Sequence, residues 1–408
     1  MKKLAALILV LVMAFGTMLT AKADIEINFW NGFTGSDGEI LKEIVNEFNA
    51  TNDKGITIKM DIIPWSNFHE KLPSALATGT APEMILMGND VLQTYVNTDS
   101  LLTVEDFFST TGFDRSTIPD SVWNLFSVGG KQYMIPMQVN SHYLYINKEL
   151  FRQAGLDPEK APATWDELFE YAVKLTNAEK NVSGFGIPVS SSSVFVNLLY
   201  CNGGRLVDEN GKPCINSEAA LKTFTQIQDA MKANVSAQGA TGADYDNILF
   251  AGQVAMYING PWCINGCNTN GLDYSVHMLP EGPAGRGYDL GGCGFAVTTG
   301  ISDEAKAAAY EFMKFWNSTE ICKKWSVLNG FPPYLQSVKE DPEIAANELL
   351  TEMSAALEYG IPYLQGVDAA SAITNDVLYP MLERIMNGAD VATELADAQA
   401  AMEMLMAE

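Results

Sequence analysis

Phe250-Ala251-Gly252-Gln253-Val254-Ala255-Met256-Tyr257-Ile258-Asn259-Gly260-Pro261-Trp262 is the stretch from which the fold is read most directly. It reads as the end of a helix, a glycine turn, a short buried strand and an exit from a sheet. The strand is the apolar run Val254 to Ile258, bounded by Gly252 and Gly260. Pro261 has no N–H to give a ladder, so the chain leaves a central strand there. Trp262 is therefore placed just past the strand's carboxyl end, where open α/β sheets bind their ligands. An indole at that point offers a flat apolar face to the C–H side of a sugar ring. The same position also suits a plain core or rim aromatic, and the residue type alone leaves both readings open.

The rest of the chain alternates strands and helices. Ile25 to Trp30 alternates apolar with polar side chains and reads as a strand, followed by the polar, glycine-rich loop Asn31 to Gly38. Glu39 to Asn49 carries Ile40, Leu41, Ile44, Val45 and Phe48 at helical spacing. Ile56 to Ile63 is a second strand, His69 to Gly79 a helix ended by glycine, and Pro82 to Met87 a third strand. This β-α-β-α-β start implies a mostly parallel sheet covered on both faces. Farther on, Tyr143 to Asn147, Gly184 to Val189 and Gly294 to Thr298 read as strands. Lys148 to Ala154, a helix opened by a Thr164–Glu167 capping box, and Ser217 to Ala233 read as helices, and the chain from Ser302 onward is nearly all helical.

Met1-Lys2-Lys3, the uncharged apolar run Leu4 to Leu19 and Ala21-Lys22-Ala23 form a secretory leader over residues 1–23. The first cysteine is Cys201, so no lipid anchor is expected, and a periplasmic protein is. The formal charge is −25, and loss of Lys2, Lys3 and Lys22 makes it −28. That balance argues against nucleic acid and anionic membranes as partners. Six cysteines are present. Cys201 and Cys214 flank a predicted hairpin with an Asn210-Gly211 turn, so a bridge between them is one alternative and free thiols the other. Cys263-x-x-x-Cys267 lacks the second pair or the His cluster of a zinc site, and neither a metal nor a cofactor is expected. The chain carries no HExxH and no nucleophile elbow. An exported glycan-acting enzyme, with Asp37 and Asp90 as an acid–base pair, is the competing class.

Several segments together resemble the maltose-binding-protein group of extracellular solute-binding proteins. They are Ile27-Asn28-Phe29-Trp30-Asn31-Gly32, Ala77-Thr78-Gly79-Thr80-Ala81-Pro82-Glu83, Leu144-Tyr145-Ile146-Asn147-Lys148, Thr164-Trp165-Asp166-Glu167-Leu168, Ala251-Gly252-Gln253-Val254-Ala255-Met256 and Gly330-Phe331-Pro332-Pro333. The resemblance implies an α/β fold of two lobes, each a mostly parallel sheet flanked by helices, joined by crossing segments that close on a ligand. It assigns residues 24–137 and 298–334 to an N-terminal lobe, and 138–297 and 335–408 to a C-terminal lobe. Crossings are expected at Gln138 to His142, at Gly291-Gly292 and at Gly330-Phe331.

On that architecture the loops after strands face the cleft. Asn31, Thr34, Ser36 and Asp37 are short polar groups suited to hydroxyls, although Ser36 or Asp37 also suits a helix cap. Trp65 and Phe68 supply apolar faces. Asn89 and Asp90 follow the third strand, and Asp90 matches an acidic sugar contact of the family. Asn140 stands where the family has another, Ser193 where it has an aromatic stacker, and Gly292 and Phe331 lie at crossings. His142 reads as structural or as a contact. Ser371 and Asn375 stand near late aromatic and Arg contacts of the maltose binder, which argues against a long maltodextrin. The absence of Arg between Arg286 and Arg384 argues against the phosphate of a glycerol 3-phosphate ligand. The resemblance implies a sugar-binding subunit, monomeric, that delivers a mono- or short oligosaccharide to the membrane permease of an ABC importer. A polyol or glycerol 3-phosphate is the alternative cargo.

Overall fold

The computed structural model describes residues 25–407, apart from the side chains of Ser36, Ser66 and His69; the predicted leader lies outside the described residues. The opening follows the periodicity. Strand β1 (Ile25–Asn31) buries Ile27 and Phe29, and helix α1 (Ser36–Thr51) buries Leu41, Ile44, Val45 and Phe48. Strand β2 (Ile56–Ile62) and helix α2 (Trp65–Thr78) follow; α2 ends at Gly79, whose φ of 67° is the left-handed cap that glycine takes without strain. Strand β3 (Met84–Gly88) is buried along nearly all its length. β1 pairs in parallel with both β2 and β3.

The chain then runs through strand β4 (Met134–Asn140) and a two-residue turn into β5 (Tyr143–Asn147). Helix α3 (Trp165–Leu175), strand β6 (Ser183–Gly186), helix α4 (Phe195–Cys201) and helix α5 (Glu218–Lys232) come next. Thr164 caps α3 by accepting from the Glu167 N–H, while the Glu167 carboxylate takes the N–H of Ala163 rather than that of Thr164. Strand β7 (Val254–Asn259) fulfils the opening reading, and Pro261 carries the chain out of the sheet. Strands β8 (Tyr274–His277) and β9 (Tyr288–Val297), helices α6 (Asp303–Trp316) and α7 (Thr319–Asn329), strand β10 (Gly360–Pro362) and helices α8 (Tyr379–Met386) and α9 (Val391–Leu405) complete the path used below.

Two sheets result. The first runs β10-β9-β3-β1-β2 with β4 on β9, and the second runs β8-β5-β7-β6. Both are mixed: three of five pairings are parallel in the first, one of three in the second. β9 is antiparallel to β3 and β4, because it returns along the path by which β4 left. In the second sheet only β6 and β7 are parallel; β5 is antiparallel to both neighbours. A strand buried on both faces carries no sequence mark of its partner's direction.

Two apolar cores sit on these sheets. The first collects Ile27 to Val139, Leu290, Phe295 to Val297 and the helices through Leu350; the second collects Tyr143 to Tyr288 and Met353 onward. The chain thus changes core between Val139 and Tyr143, between Tyr288 and Leu290, and between Leu350 and Met353. The second and third of these changes of core fall at other positions than the crossings expected from the sequence. Phe295 to Val297 pack with the first core, because they pair with β3 and β4. Gly330 caps α7 with a φ of 72°, and the following Phe331, Leu335 and Val338 pack in the first core.

All six cysteines are free thiols. The hairpin predicted near Cys201 closes lower down, with the N–H of Cys214 donating to Leu206 O at 2.9 Å. Cys201 ends α4 instead, its Sγ 3.4 Å from Gly287 O.

Candidate functional site

The loops after β1 and β3, the end of β4, the middle of β9 and the exit of β7 meet between the two cores. They enclose a cleft of two adjoining chambers that share Gly88, Asp90, Asn140 and Cys293. One, of about 470 Å³, is walled by Phe33, Asp37, Trp65, Gln138, Trp262 and Phe331. The other, of about 390 Å³, is walled by Asn89, Ser192, Asp289, Gly291, Gly292, Tyr363, Thr374, Asn375 and Tyr379, among others.

The tryptophan chamber is aromatic on both sides. Trp65 packs edge-on to Phe33 and Phe68, at 5.9 and 5.3 Å between ring centroids. A Cβ on Gly32 would sit 2.0 Å from the Trp65 ring, so this ring needs glycine beneath it. Phe331 is only 3 % exposed and stacks on Trp325, which stacks in turn on Phe33. Facing them from the second core, Trp262 is 45 % exposed, a high value for so large an apolar ring. Its ring lies over Gly260, whose carbonyl accepts the Tyr145 hydroxyl at 2.6 Å, and its flank meets the edge of His142.

The tyrosine chamber is polar. Asn89 fastens β3 to β9: its side-chain oxygen takes the Gly292 N–H at 2.9 Å, and its own N–H donates to Gly292 O at 3.0 Å. Asp289 lies on β9 with its N–H on the Asn197 side-chain oxygen. Its Oδ2 is 3.4 Å from Ser192 Oγ and 3.6 Å from His142 Nδ1. The Tyr363 hydroxyl pairs with Thr374 Oγ1 at 2.7 Å. Residues Ile373–Leu378 form a π-helical turn that leads into α8, an irregularity often found at functional sites. Through it Ser371, Thr374, Asn375 and Tyr379 all reach the same chamber.

The cleft is acidic. Burial pushes the Asp289 carboxyl up to about 7, and the charge of Asp90 adds to the rise. Burial likewise raises Asp37, against the Gly38 N–H that its carboxylate accepts. It lifts the Cys293 thiol to about 12, with Asp90 and Asp37 adding to the effect, so this sulfur is no nucleophile. His142 is held down to about 4 by burial and is neutral at pH 7 despite its carboxylate neighbour. Among the described residues no Lys or Arg lines either chamber, and no cluster of three metal-ligating groups occurs.

Of the residues predicted from sequence, Asp37, Trp65, Asn89, Asp90, Asn140, Trp262, Gly292 and Phe331 line the cleft. Four do not. Asn31 is wholly buried, its amide spent on Asp61 O and the Phe33 N–H to hold the turn after β1. Thr34 is exposed outside the lining. Phe68 lies in the first core beneath Trp65. Ser193 is buried and bonded to Ser191, and its neighbour Ser192 faces the cleft instead. The side chain of Ser36 lies outside the described residues; its backbone opens α1. Sequence reasoning missed Phe33, Gln138, Asp289, Tyr363 and Tyr379. Tyr363 and Tyr379 flank the Ser371–Asn375 segment and were the aromatic signal available there.

Residues 43–352 match the model of a family described as bacterial extracellular solute-binding protein. The sn-glycerol-3-phosphate-binding periplasmic protein UgpB of Brucella abortus is 26 % identical over 339 residues, covering 79 % of this chain and 77 % of that one. UgpB from Mycobacterium tuberculosis, solved with glycerophosphocholine, superposes with a TM-score of 0.85 at 20 % identity, over 94 % of this chain and 98 % of that one. The GacH receptor of Streptomyces glaucescens, solved unliganded and with acarbose, gives 0.83 at 22 % identity, over 94 % and 98 %. The likeness to these two structures is one of fold.

Proposed function

Because the chain belongs to the bacterial extracellular solute-binding protein family, we propose that it captures a mono- or short oligosaccharide between its two cores and delivers it to the permease of an ABC importer. It acts as a monomeric binding subunit without catalysis, exported by the leader read at residues 1–23. Its lobes divide where the chain changes core, near residues 140–142, 289 and 351–352, and they rotate on those three segments when ligand bridges them.

The observation that carries this reading is the make-up of the cleft. Trp65, Phe331 and Trp262 offer apolar ring faces, while Asp37, Asp90, Asn140, Asp289 and Asn375 offer hydrogen-bonding groups suited to hydroxyls. A carboxylate accepting from a hydroxyl makes a short, charge-assisted bond in a cleft that excludes water. Glycerol 3-phosphate is the second reading, since curated relatives carry that ligand in their names. A phosphate, however, would meet three carboxylates and no lining Lys or Arg among the described residues.

A thermal-shift screen with neutral and amino sugars, polyols and glycerol 3-phosphate tests the reading. A ligand at a hundredfold over its Kd stabilises by about 2.7 kcal/mol. The expected result is a raised Tm with a sugar and none with glycerol 3-phosphate; the reverse pattern overturns it.

A further inference from the structure

We propose, on the footing that the cleft takes a carbohydrate, that Gln138 is a specificity-determining contact: Trp325 holds its amide with the NH2 group toward the tryptophan chamber, where it donates to an oxygen of the sugar. The local backbone prepares this. Strand β4 does not pair evenly with β9: Val139 and Gln138 stand opposite Gly292 and Cys293, and Pro136 opposite Gly294, so Met137 is left without a partner. Pro136 brings no N–H to the ladder. A bulge of this kind re-aims the side chains of its strand. Buried donors hold it from the helical side. Pro136 O accepts from the Asn317 amide and the Tyr334 hydroxyl, each at 3.1 Å, and Met137 O accepts from the Trp316 indole at 2.9 Å. Beyond the bulge Gln138 is only 5 % exposed, yet it lines the tryptophan chamber.

A second buried group orients the amide. Trp325 Nε1 donates to Gln138 Oε1 at 3.1 Å, and the Trp325 ring is itself fixed in the stack with Phe33 and Phe331. An indole N–H only donates, so the amide must turn its oxygen to it and its NH2 away. The one acceptor that meets this NH2 among the described residues is the Cys293 sulfur, which lines the same chamber. A thiol sulfur is a weak acceptor. Two N–H donors against it leave a buried amide short of a partner, which is costly until one arrives. Asn140, the other amide of the chamber, has no side-chain hydrogen bond to a described residue that would fix it in this way. The carboxylates of Asp37 and Asp90 line the same chamber as acceptors. A sugar hydroxyl can accept from Gln138 while donating its own proton to a carboxylate. A deoxysugar lacking that oxygen leaves the amide unpaired and is disfavoured.

Calorimetry tests this with a panel of neutral sugars, from D-xylose and the D-hexoses to maltose and cellobiose. The Kd of the tightest binder is then measured in Gln138→Glu, Gln138→Met, Trp325→Phe and the double variant of the last two, with a melting curve for each. Glutamate can keep the Trp325 bond but puts an acceptor in place of the donor, so Kd should rise at least about tenfold. Methionine removes the donor, and Kd should rise about fivefold or more. Trp325→Phe keeps an aromatic ring in the stack and frees the amide. It should raise Kd severalfold alone and leave it unchanged in the Gln138→Met background, where no amide remains to be oriented. In the wild-type protein the Gln138 NH2 signals of a nitrogen–proton correlation spectrum should move downfield on saturation with the sugar, a readout that needs no variant. Wild-type Kd values in both Gln138 variants, or NH2 signals that do not move, overturn the proposal and leave the carbohydrate reading standing. A Trp325→Phe loss as large in Gln138→Met as in wild type overturns the orienting role of Trp325. No binding of any panel member to wild type overturns both the proposal and the carbohydrate reading.

Discussion

Replacing Trp262 with alanine separates ligand binding from folding, and its size follows from the exposure of the ring. A tryptophan side chain buries up to about 250 Å². Trp262 is 45 % exposed, which leaves on the order of 110 Å² of ring for a ligand to cover. At about 25 cal/mol per Å², full coverage is worth ~3 kcal/mol and partial coverage about 1 kcal/mol. Trp262→Ala is therefore expected to raise the Kd of the preferred sugar roughly 5- to 150-fold. The fold should lose little by comparison, since this ring is not packed into either core. Phe331→Ala is the contrasting control: that ring is 3 % exposed and packs in the first core, so its loss should cost about 3–5 kcal/mol of stability. Calorimetry gives the affinities and denaturant melts the stabilities. An unchanged Kd in Trp262→Ala refutes the stacking role, and a melt as damaged as that of Phe331→Ala refutes the claim that the ring is spare for ligand.

Gly260→Ala should weaken sugar binding by about 1–3 kcal/mol with Trp262 intact, because the new Cβ would stand 2.0 Å from the indole and push it aside; a wild-type Kd would show that the ring position is immaterial. Asp90→Ala should cost about 1.5–3 kcal/mol of binding to a neutral sugar, and Asp90→Asn less, since an amide oxygen still accepts; equal Kd values for all three proteins would remove Asp90 from the site. Asp289→Asn should also change the pH dependence of stability. The Asp289 carboxyl is raised from 3.8 to about 7, so the folded state holds the proton more tightly than the unfolded one. Stability is then lost as pH rises from about 4 to about 7, and the loss is complete above that. The variant's gain in unfolding free energy over wild type should be absent near pH 4 and full above pH 7, on the order of a few kcal/mol at most. The opposing effect of His142, held down to about 4 by burial, is present in both proteins. A gain that does not vary with pH would contradict the buried, raised carboxyl.

What the sequence disclosed, and what it hid, has a common physical basis. Where one face is buried and one solvated, as in β1 and α1, the alternation fixes both the element and its orientation. Strand β7 and its Gly-Pro exit were legible because proline and glycine act locally, and they placed Trp262 at the cleft. Strand direction in the second sheet was not legible, since β5 and β7 are buried along their whole length. The run Ser190 to Ser193 carries no periodicity, so nothing in it distinguishes the buried Ser193 from the lining Ser192. Asp289 was hidden for a related reason: it sits inside a strand that passes from one core to the other, where the polar side chain marks the gap between cores and not a loop. Tyr363 and Tyr379 are brought to β9 only by long-range packing of the C-terminal segment, which no local pattern specifies.

The most direct test of the central claim is a structure of the protein with its preferred sugar bound. The account predicts the sugar in the interlobe cleft, a ring face against Trp262, a hydroxyl within hydrogen-bond distance of Asp90, and contacts from both cores at once. A sugar held by residues of one core alone, or seated away from Trp262 and Asp90, would contradict it.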